Sequence, residues 1–439
     1  MAHILFITPY YPPERGAAPV RISETAMHLV KRGHRVTVLT TVPNYPTGIV
    51  PLEYRGRVIQ EEMRDGVRVV RVWSFVTPNK GFLRRILAQL SFGCLVPLIG
   101  GREIDHIDVI IVESHPLFNA IAGRMLARRK HCPFIFMVSD LWPEAAVQLG
   151  VLRNRMLIRL AEWLEWSTYE RAGFVWVVTE GIRTRLIERG LPSEHIFLLT
   201  NGVDITKFRP FPQAQARAIL GWDDRFTVLY AGTHGPTHGL VTILDAAEQL
   251  RHCKDIHIIL AGDGPEKATL LAQAKGRDLA NITFLDAQPH DDVPLLLAAA
   301  DVCLVHMRKL PLFEGNLPLK MFDAMACGRP VILGMDGEAR QRVVQEAGAA
   351  TYVEPENSHA LAAAITHLRG HPEICELLGQ RGRAYVERHF NREQLTAKLD
   401  ARIEMLLNKE ELNSMPVISD SFPEIPMPVD VAREESHTH

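Results

Sequence analysis

The feature that most constrains this chain is its rhythm. Short apolar runs rich in β-branched residues, namely HILFIT, HRVTVLTT, VRVVRVWSF, VIIVES, FIFMVSD and VWVVTE, alternate with helical patterns that include about Val20–Arg32 and Phe118–Arg129. Runs apolar at consecutive positions suit strands buried on both faces, and strands separated by helix-length segments are joined by crossovers. A parallel βαβ sheet satisfies both. The rhythm restarts after Asn201-Gly202-Val203-Asp204 with TVLYAG, IHIILAGDG, ITFLDA, VCLVHM and PVILG, interleaved with helices about Leu240–Leu250, Pro265–Ala274, Asp292–Ala299 and Pro318–Ala326. The chain thus reads as α/β, with two doubly wound Rossmann-like domains, residues 1–200 and 201–390, linked through Thr200–Pro212. A final helix about Arg392–Lys409 follows, and the segment 391–408 is expected to return to the first domain. Residues 409–439, with four prolines, net acidity and no period, are expected to be a disordered tail whose His-Thr-His end is a solvated terminus.

Composition narrows the function classes. At 439 residues, 47% hydrophobic and 23% charged, the chain can bury two or three cores and is neither fibrous nor disordered. Its formal charge of −2 argues against a nucleic-acid partner but hides an asymmetry. Residues 1–200 hold 25 Lys and Arg against 18 Asp and Glu, whereas residues 201–439 hold 24 against 33. The six cysteines form no C-x-x-C pair and sit mostly in apolar runs, which predicts reduced thiols and a cytoplasmic setting. The amino terminus reads as a first strand, since Pro9 arrives before any long apolar core of a signal peptide. The stretch Ile86–Gly101 is too short, and too broken by Pro97 and glycines, to span a bilayer.

In open α/β sheets, ligands bind beyond the carboxyl ends of the strands, where helix N-termini expose unpaired N–H groups. The first such loop, Pro9 to Val20, ends in small residues ahead of a helix, and Gly16 is the residue placed against an anion. It lacks the G-x-G-x-x-G pattern, which disfavours a nicotinamide oxidoreductase. The second domain opens with Gly232-Thr233-His234-Gly235-Pro236-Thr237-His238-Gly239, so that two glycine-bearing loops could face each other across a cleft and hold a diphosphate. Gly262-Asp263-Gly264-Pro265 either lines a nucleobase slot or is a tight turn. The densest segment runs from Phe313 to Ile332. There Pro318 starts a helix, Gly315, Asn316 and Leu317 lead into its positive end, Lys320 adds a charge in the first turn, and Asp323 lies on the same face.

The run EGNLPLKMFDAMACGRPVI, with FITPYYPPERGAAPVR, RGHRVTVLT, NGVD and AGDGPEKATL, resembles the retaining nucleotide-sugar glycosyltransferases of the GT-B fold known as family four. Pro43-Asn44-Tyr45-Pro46 and Asp140-Leu141-Trp142-Pro143-Glu144 resemble the bacterial N-acetyl-L-fucosamine transferase-like group of surface-polysaccharide synthesis. The resemblance covers residues 1 to about 408 and implies a nucleotide-sugar donor, with UDP and UDP-N-acetyl-L-fucosamine as the expected forms. The family pattern pairs two glutamates separated by seven residues. Asp323 takes the ribose-side place, while the sugar-side place falls on Gly315, with Glu314 one residue early. The usual Arg or Lys after the first strand of the second domain is replaced near His238, so Lys320 becomes the main cation on the diphosphate. The family's His-Asp pair reads Ser139-Asp140, which makes Asp140, nearby Glu144 and His115 candidates for orienting the acceptor.

Cleaving a sugar C1–O bond puts negative charge on the leaving diphosphate and oxocarbenium-like charge on the ring, so catalysis is expected to be largely electrostatic stabilisation of that diphosphate. With no D-x-D in the chain, no metal is expected, and Lys320 with backbone amides would stand in its place. Arg84 and Arg85 ahead of Ile86–Ile99, the group Arg124, Arg128, Arg129 and Lys130, and Arg153, Arg155 and Arg159 beside Met156, Leu157, Ile158 and Trp163 suit an anionic membrane surface, where each cation adds about 1 kcal/mol. The expected setting is peripheral on the inner face of the plasma membrane, next to a lipid-linked or saccharide acceptor. The rival readings are a nucleotide-sugar 2-epimerase and a non-catalytic nucleotide-sugar-binding subunit.

Overall fold

A computed structural model describes residues 1–408 apart from 46, 78–81 and 149, and apart from the side chains of 82 and 83. The expected disordered tail, 409–439, and Pro46 lie outside the described residues. The first domain is built on an eight-stranded sheet of order β3-β4-β2-β1-β5-β6-β7-β8. Its strands are β1 (His3–Ile7), β2 (Arg35–Thr41), β3 (Ile59–Arg64), β4 (Val67–Val72), β5 (Val109–Glu113), β6 (Phe134–Val138), β7 (Phe174–Val177) and β8 (Ile196–Leu198). The second domain carries a six-stranded sheet, β11-β10-β9-β12-β13-β14. These strands are β9 (Phe226–Ala231), β10 (Ile256–Ala261), β11 (Ile282–Leu285), β12 (Val302–His306), β13 (Val331–Gly334) and β14 (Ala350–Tyr352). Both are doubly wound.

Every pairing is parallel except β3 with β4. A wholly parallel sheet was the expectation, and the hairpin corrects it at one edge. Arg64 pairs with Val67 across Asp65 (φ 52°) and Gly66 (φ 78°), both left-handed, which is the two-residue turn whose twist matches adjoining strands.

The inner strands are buried on both faces, as consecutive apolar residues require, while the edge strands β3 and β11 are partly exposed. On β1, Leu5 and Ile7 join the core with Phe92, Val96 and Leu126, whereas Ile4 and Phe6 join Ile22, Ala26 and Leu29 on the other face. That second face is shared by the last helix, Arg392–Leu407, which packs Leu395, Leu399, Ile403 and Leu406 beside the Ala17–Lys31 helix. The chain passes between domains at two adjacent points. Val203 bridges Asn391, its N–H donates to the Phe390 carbonyl at 2.9 Å, and the Arg392 N–H donates back to the Val203 carbonyl at 3.0 Å.

Candidate active site

Lys320 meets the carboxyl end of β9, where the loops that follow β9 and β10 pack together. The Leu319–Ala326 helix follows Pro318, whose fixed φ of −63° suits a helix entrance, and Lys320 lies in its first turn. The ammonium donates to the Tyr230 hydroxyl at 2.8 Å and lies 4.1 Å from the centre of that ring, while the hydroxyl donates to the Thr233 carbonyl at 2.8 Å. Tyr230 therefore aims the ammonium at the loop after β9. Gly232 (φ 155°) lets the two meet, since a Cβ there would sit 2.6 Å from the Lys320 Nζ. Burial pushes the Lys320 ammonium down to about 7, with Asp323 opposing the shift. Burial also lifts the Asp323 carboxyl to about 7, against the pull of His290, Arg392 and Lys207 and with Glu24 adding repulsion. Both groups therefore titrate near neutrality.

The glycine loops differ from the expectation in detail. His234 is wholly enclosed, both ring nitrogens lack hydrogen-bond partners, and burial reinforced by Lys267 and Lys320 pushes it down to about 4. Its side chain packs near Tyr230 and Phe284, and it is the backbone that works: the His234 N–H donates to the Asp263 carbonyl at 2.8 Å and its carbonyl accepts from Glu266 at 3.0 Å. Gly264 (φ 156°) would drive a Cβ to 2.4 Å from the His234 carbonyl oxygen, which accounts for the glycine by loop-against-loop packing. Gly235 is buried and accepts from the His238 N–H at 3.0 Å. His238 is pushed down to about 3, chiefly by burial, and is neutral at physiological pH. Its carbonyl accepts from His306 Nδ1 at 2.7 Å, while His306 Nε2 accepts from the Glu356 N–H at 3.1 Å, an arrangement that holds His306 neutral.

The loop between β12 and the Lys320 helix spreads the remaining candidates. Leu317 is buried in the core, Asn316 closes a turn onto the Phe313 carbonyl at 3.0 Å, and Glu314 has an exposed side chain and a carbonyl that accepts from the Glu338 N–H at 2.6 Å. Gly315 meets the first domain, where a Cβ on Gly181 would come within 2.9 Å of its Cα.

Opposite lie the ends of β1, β5 and β6. Gly16 (φ 136°) is exposed at the head of the Ala17–Lys31 helix, and the neighbouring Arg15 guanidinium crosses the cleft to the Ala287 carbonyl. His115 is half-buried and stacked on Tyr10 at 6.5 Å and 22°, its Nδ1 without a partner. Asp140 is exposed, yet the surrounding protein strips enough hydration to raise its carboxyl above the ordinary range, against His115 and Arg21. Glu144 is engaged by Arg185 at 3.1 Å. Beneath them Arg21 donates to Glu113 at 2.8 Å and to Asn201 at 3.3 Å, and Thr8 donates to the other Glu113 oxygen at 2.6 Å. At the crossing between domains, Glu24 accepts from Arg392 at 3.0 Å and lies 3.2 Å from His290 Nε2.

Sequence reasoning passed over Tyr230, Glu24, His290 and Arg392. Each joins segments far apart in the chain, and only the Glu24–Arg392 signs could have hinted at a pair. Among the described residues no three His, Cys, Asp or Glu side chains gather as metal ligands, and no helix is long and apolar enough to cross a membrane.

Residues 16–202 match the family described as Glycosyl transferase 4-like domain, and residues 212–385 match Glycosyl transferases group 1. The chain is 28% identical over 397 residues to WcaI of Escherichia coli (strain K12), named as a glycosyl transferase of colanic acid biosynthesis, covering 88% of this chain and 95% of that one. It is 34% identical over 340 residues to a D-inositol 3-phosphate glycosyltransferase of Mycobacterium sp. (strain JLS), covering 74% and 71%. Among solved structures, HepE of Anabaena in complex with UDP-glucose superposes with a TM-score of 0.69 at 18% identity, covering 92% of this chain and 100% of that one.

Proposed function

The chain belongs to the group 1 glycosyl transferases, and from that premise we propose that it moves a sugar, with retention at the anomeric carbon, from a nucleoside-diphosphate donor to a lipid-linked or saccharide acceptor of a surface polysaccharide. It is an enzyme of the hexosyltransferase type, of GT-B fold. One observation carries the donor assignment: a Tyr230-anchored ammonium stands against Gly232 and one helical turn from Asp323, an acid able to bind ribose hydroxyls. Lys320 would then neutralise charge gathering on the leaving diphosphate. UDP is the nucleotide we assign, on the likeness to HepE in complex with UDP-glucose, and UDP-N-acetyl-L-fucosamine is the donor that the Asp140–Glu144 run supports. Asp140 and His115, after β6 and β5, would face the donor and orient the acceptor hydroxyl.

Thermal unfolding with a panel of nucleoside diphosphates and their sugars tests this. Uridine forms should raise Tm selectively, by the equivalent of about 2.7 kcal/mol at a hundredfold excess over Kd. Donor alone should persist, and donor with a polyprenyl-diphosphate-linked sugar should give a longer lipid-linked glycan. Rapid conversion of donor alone would make the protein an epimerase, and binding without turnover on any acceptor a non-catalytic subunit.

We place the acceptor at an anionic bilayer. On the Arg155–Tyr169 helix Met156, Leu160 and Trp163 are 78%, 60% and 47% exposed along one face, with Arg153, Arg155 and Arg159 exposed beside them. Three of the basic residues first assigned to that surface bind the protein itself, Arg153 through the Gly150 carbonyl at 3.0 Å. Arg124 lies 6.0 Å over Trp163 and donates to Ser167, and Lys130 donates to the Ile104 and Asp105 carbonyls. In flotation, wild type should rise with vesicles containing anionic lipid, and Leu160→Glu with Trp163→Glu should stay in the dense fraction. Equal sedimentation of both proteins would remove the membrane assignment.

A further inference from the structure

Outside the reacting groups, a second buried carboxylate besides Glu24 joins the two domains. Glu338 belongs to the second domain, between β13 and β14, yet its Oε2 accepts from the Gly181 N–H at 3.0 Å. Gly181 lies in the first turn of the first-domain Glu180–Glu188 helix, whose Thr179 cap already holds the Ile182 N–H at 3.2 Å. The Gly181 donor is one of the amides such a terminus leaves unpaired, and it lies at the positive end of the helix. The same residue grips the donor side: the Glu338 N–H donates to the Glu314 carbonyl at 2.6 Å. Gly337 (φ 77°) presses so closely that a Cβ there would lie 2.0 Å from that carbonyl oxygen. Gly315, next along, rests on Gly181.

We propose that Glu338 is a positioning residue, a latch that forms when the domains close and that holds the Glu314–Leu317 loop in place at the entrance of the Lys320 helix. Three contacts support it: a carboxylate on a helix amide across the cleft, a backbone bond to the loop, and two glycine backbones in apposition where the domains meet. Opening the cleft breaks the first and third together and leaves the loop held by the second domain alone. The Glu338 Oε1, buried without a hydrogen-bond partner and 3.9 Å from the Arg342 Nε, would then regain water. Closure and the pinning of the loop against the first domain are thus coupled, and whatever favours one favours the other by the same factor.

The inference rests on the transferase reading, but its first test needs no substrate. Small-angle scattering of the full-length protein should show a larger radius of gyration for Glu338→Ala and for Gly181→Ala, the second of which obstructs the contact from the other domain. Glu338→Gln keeps an acceptor oxygen for the Gly181 N–H and should restore the compact form. In turnover, Glu338→Ala should lower kcat about tenfold while UDP affinity stays within twofold, with Glu338→Gln recovering most of the rate. Unchanged scattering in both Glu338→Ala and Gly181→Ala overturns the latch even if transfer itself is never observed. So does a loss of UDP affinity that tracks a fall in Tm, which marks a plain folding role. If Glu338→Ala does not fold, Gly181→Ala and Glu338→Gln decide alone.

Discussion

Alanine in place of Lys320 is expected to lower kcat about 10²–10³-fold, the usual cost of deleting one donor aimed at charge that develops during reaction. Ground-state binding should fall far less. The ammonium is already hydrogen-bonded to Tyr230, so part of its interaction with a diphosphate replaces that bond. In bond cleavage the leaving group gains charge and the trade becomes favourable, which is the differential binding that accelerates a step. Tyr230→Phe keeps the ring beneath the ammonium and removes the anchor, so it should give an intermediate loss. The pH dependence follows from the same geometry. A lysine lowered to about 7 sheds its proton as pH rises through neutrality, while a bound diphosphate holds that proton in place. Donor binding above pH 7 should therefore take up a proton and weaken with rising pH, as titration calorimetry in buffers of different ionisation enthalpy will read. In Lys320→Ala the lysine's share of that uptake should vanish. A variant with wild-type kcat would remove Lys320 from the mechanism.

Arg21→Ala is expected to be the most damaging single change to stability. Its guanidinium and the Glu113 carboxylate are 5% and 1% exposed, so the variant leaves a buried charge held by the Thr8 hydroxyl alone. Removing one partner of a buried pair costs about 3–5 kcal/mol, which in a domain of this size lowers Tm by on the order of 10 °C. Replacing Glu113 with Gln in the same protein should recover much of the loss, because the orphaned charge is then gone. A double variant no more stable than Arg21→Ala would show that the guanidinium matters for packing and for Asn201, not for charge.

The parts of the site legible in the chain were those with local causes. Pro318 ahead of a helix, a lysine in its first turn and Gly328 (φ 69°) after its last each answer to a neighbour within a few residues, so they can be read in order. Tyr230 could not be, because an aromatic residue in a strand looks like core and its hydroxyl meets a lysine 90 residues away. The Glu24–Arg392 pair spans 368 residues and depends on the last helix returning to the first domain. His234 misled for the opposite reason: a loop flanked by glycines suggests open backbone, yet here the glycines let a second loop press close enough to seal the ring away. The hairpin had a visible signal in Asp65-Gly66 beside the alternating IQEEMR, but the parallel rhythm around it outweighed two residues.

The return of the Arg392–Leu407 helix has a consequence during synthesis. Until the ribosome has added those residues, the sheet face that receives Leu395, Leu399 and Ile403 stays uncovered. At about 5–20 residues per second, roughly 200 residues of second domain must emerge first, so the half made earliest is the last to be sealed. A nascent chain stalled short of residue 392 therefore leaves an apolar patch of that face open beside the Ala17–Lys31 helix, and a chaperone would find its handle there.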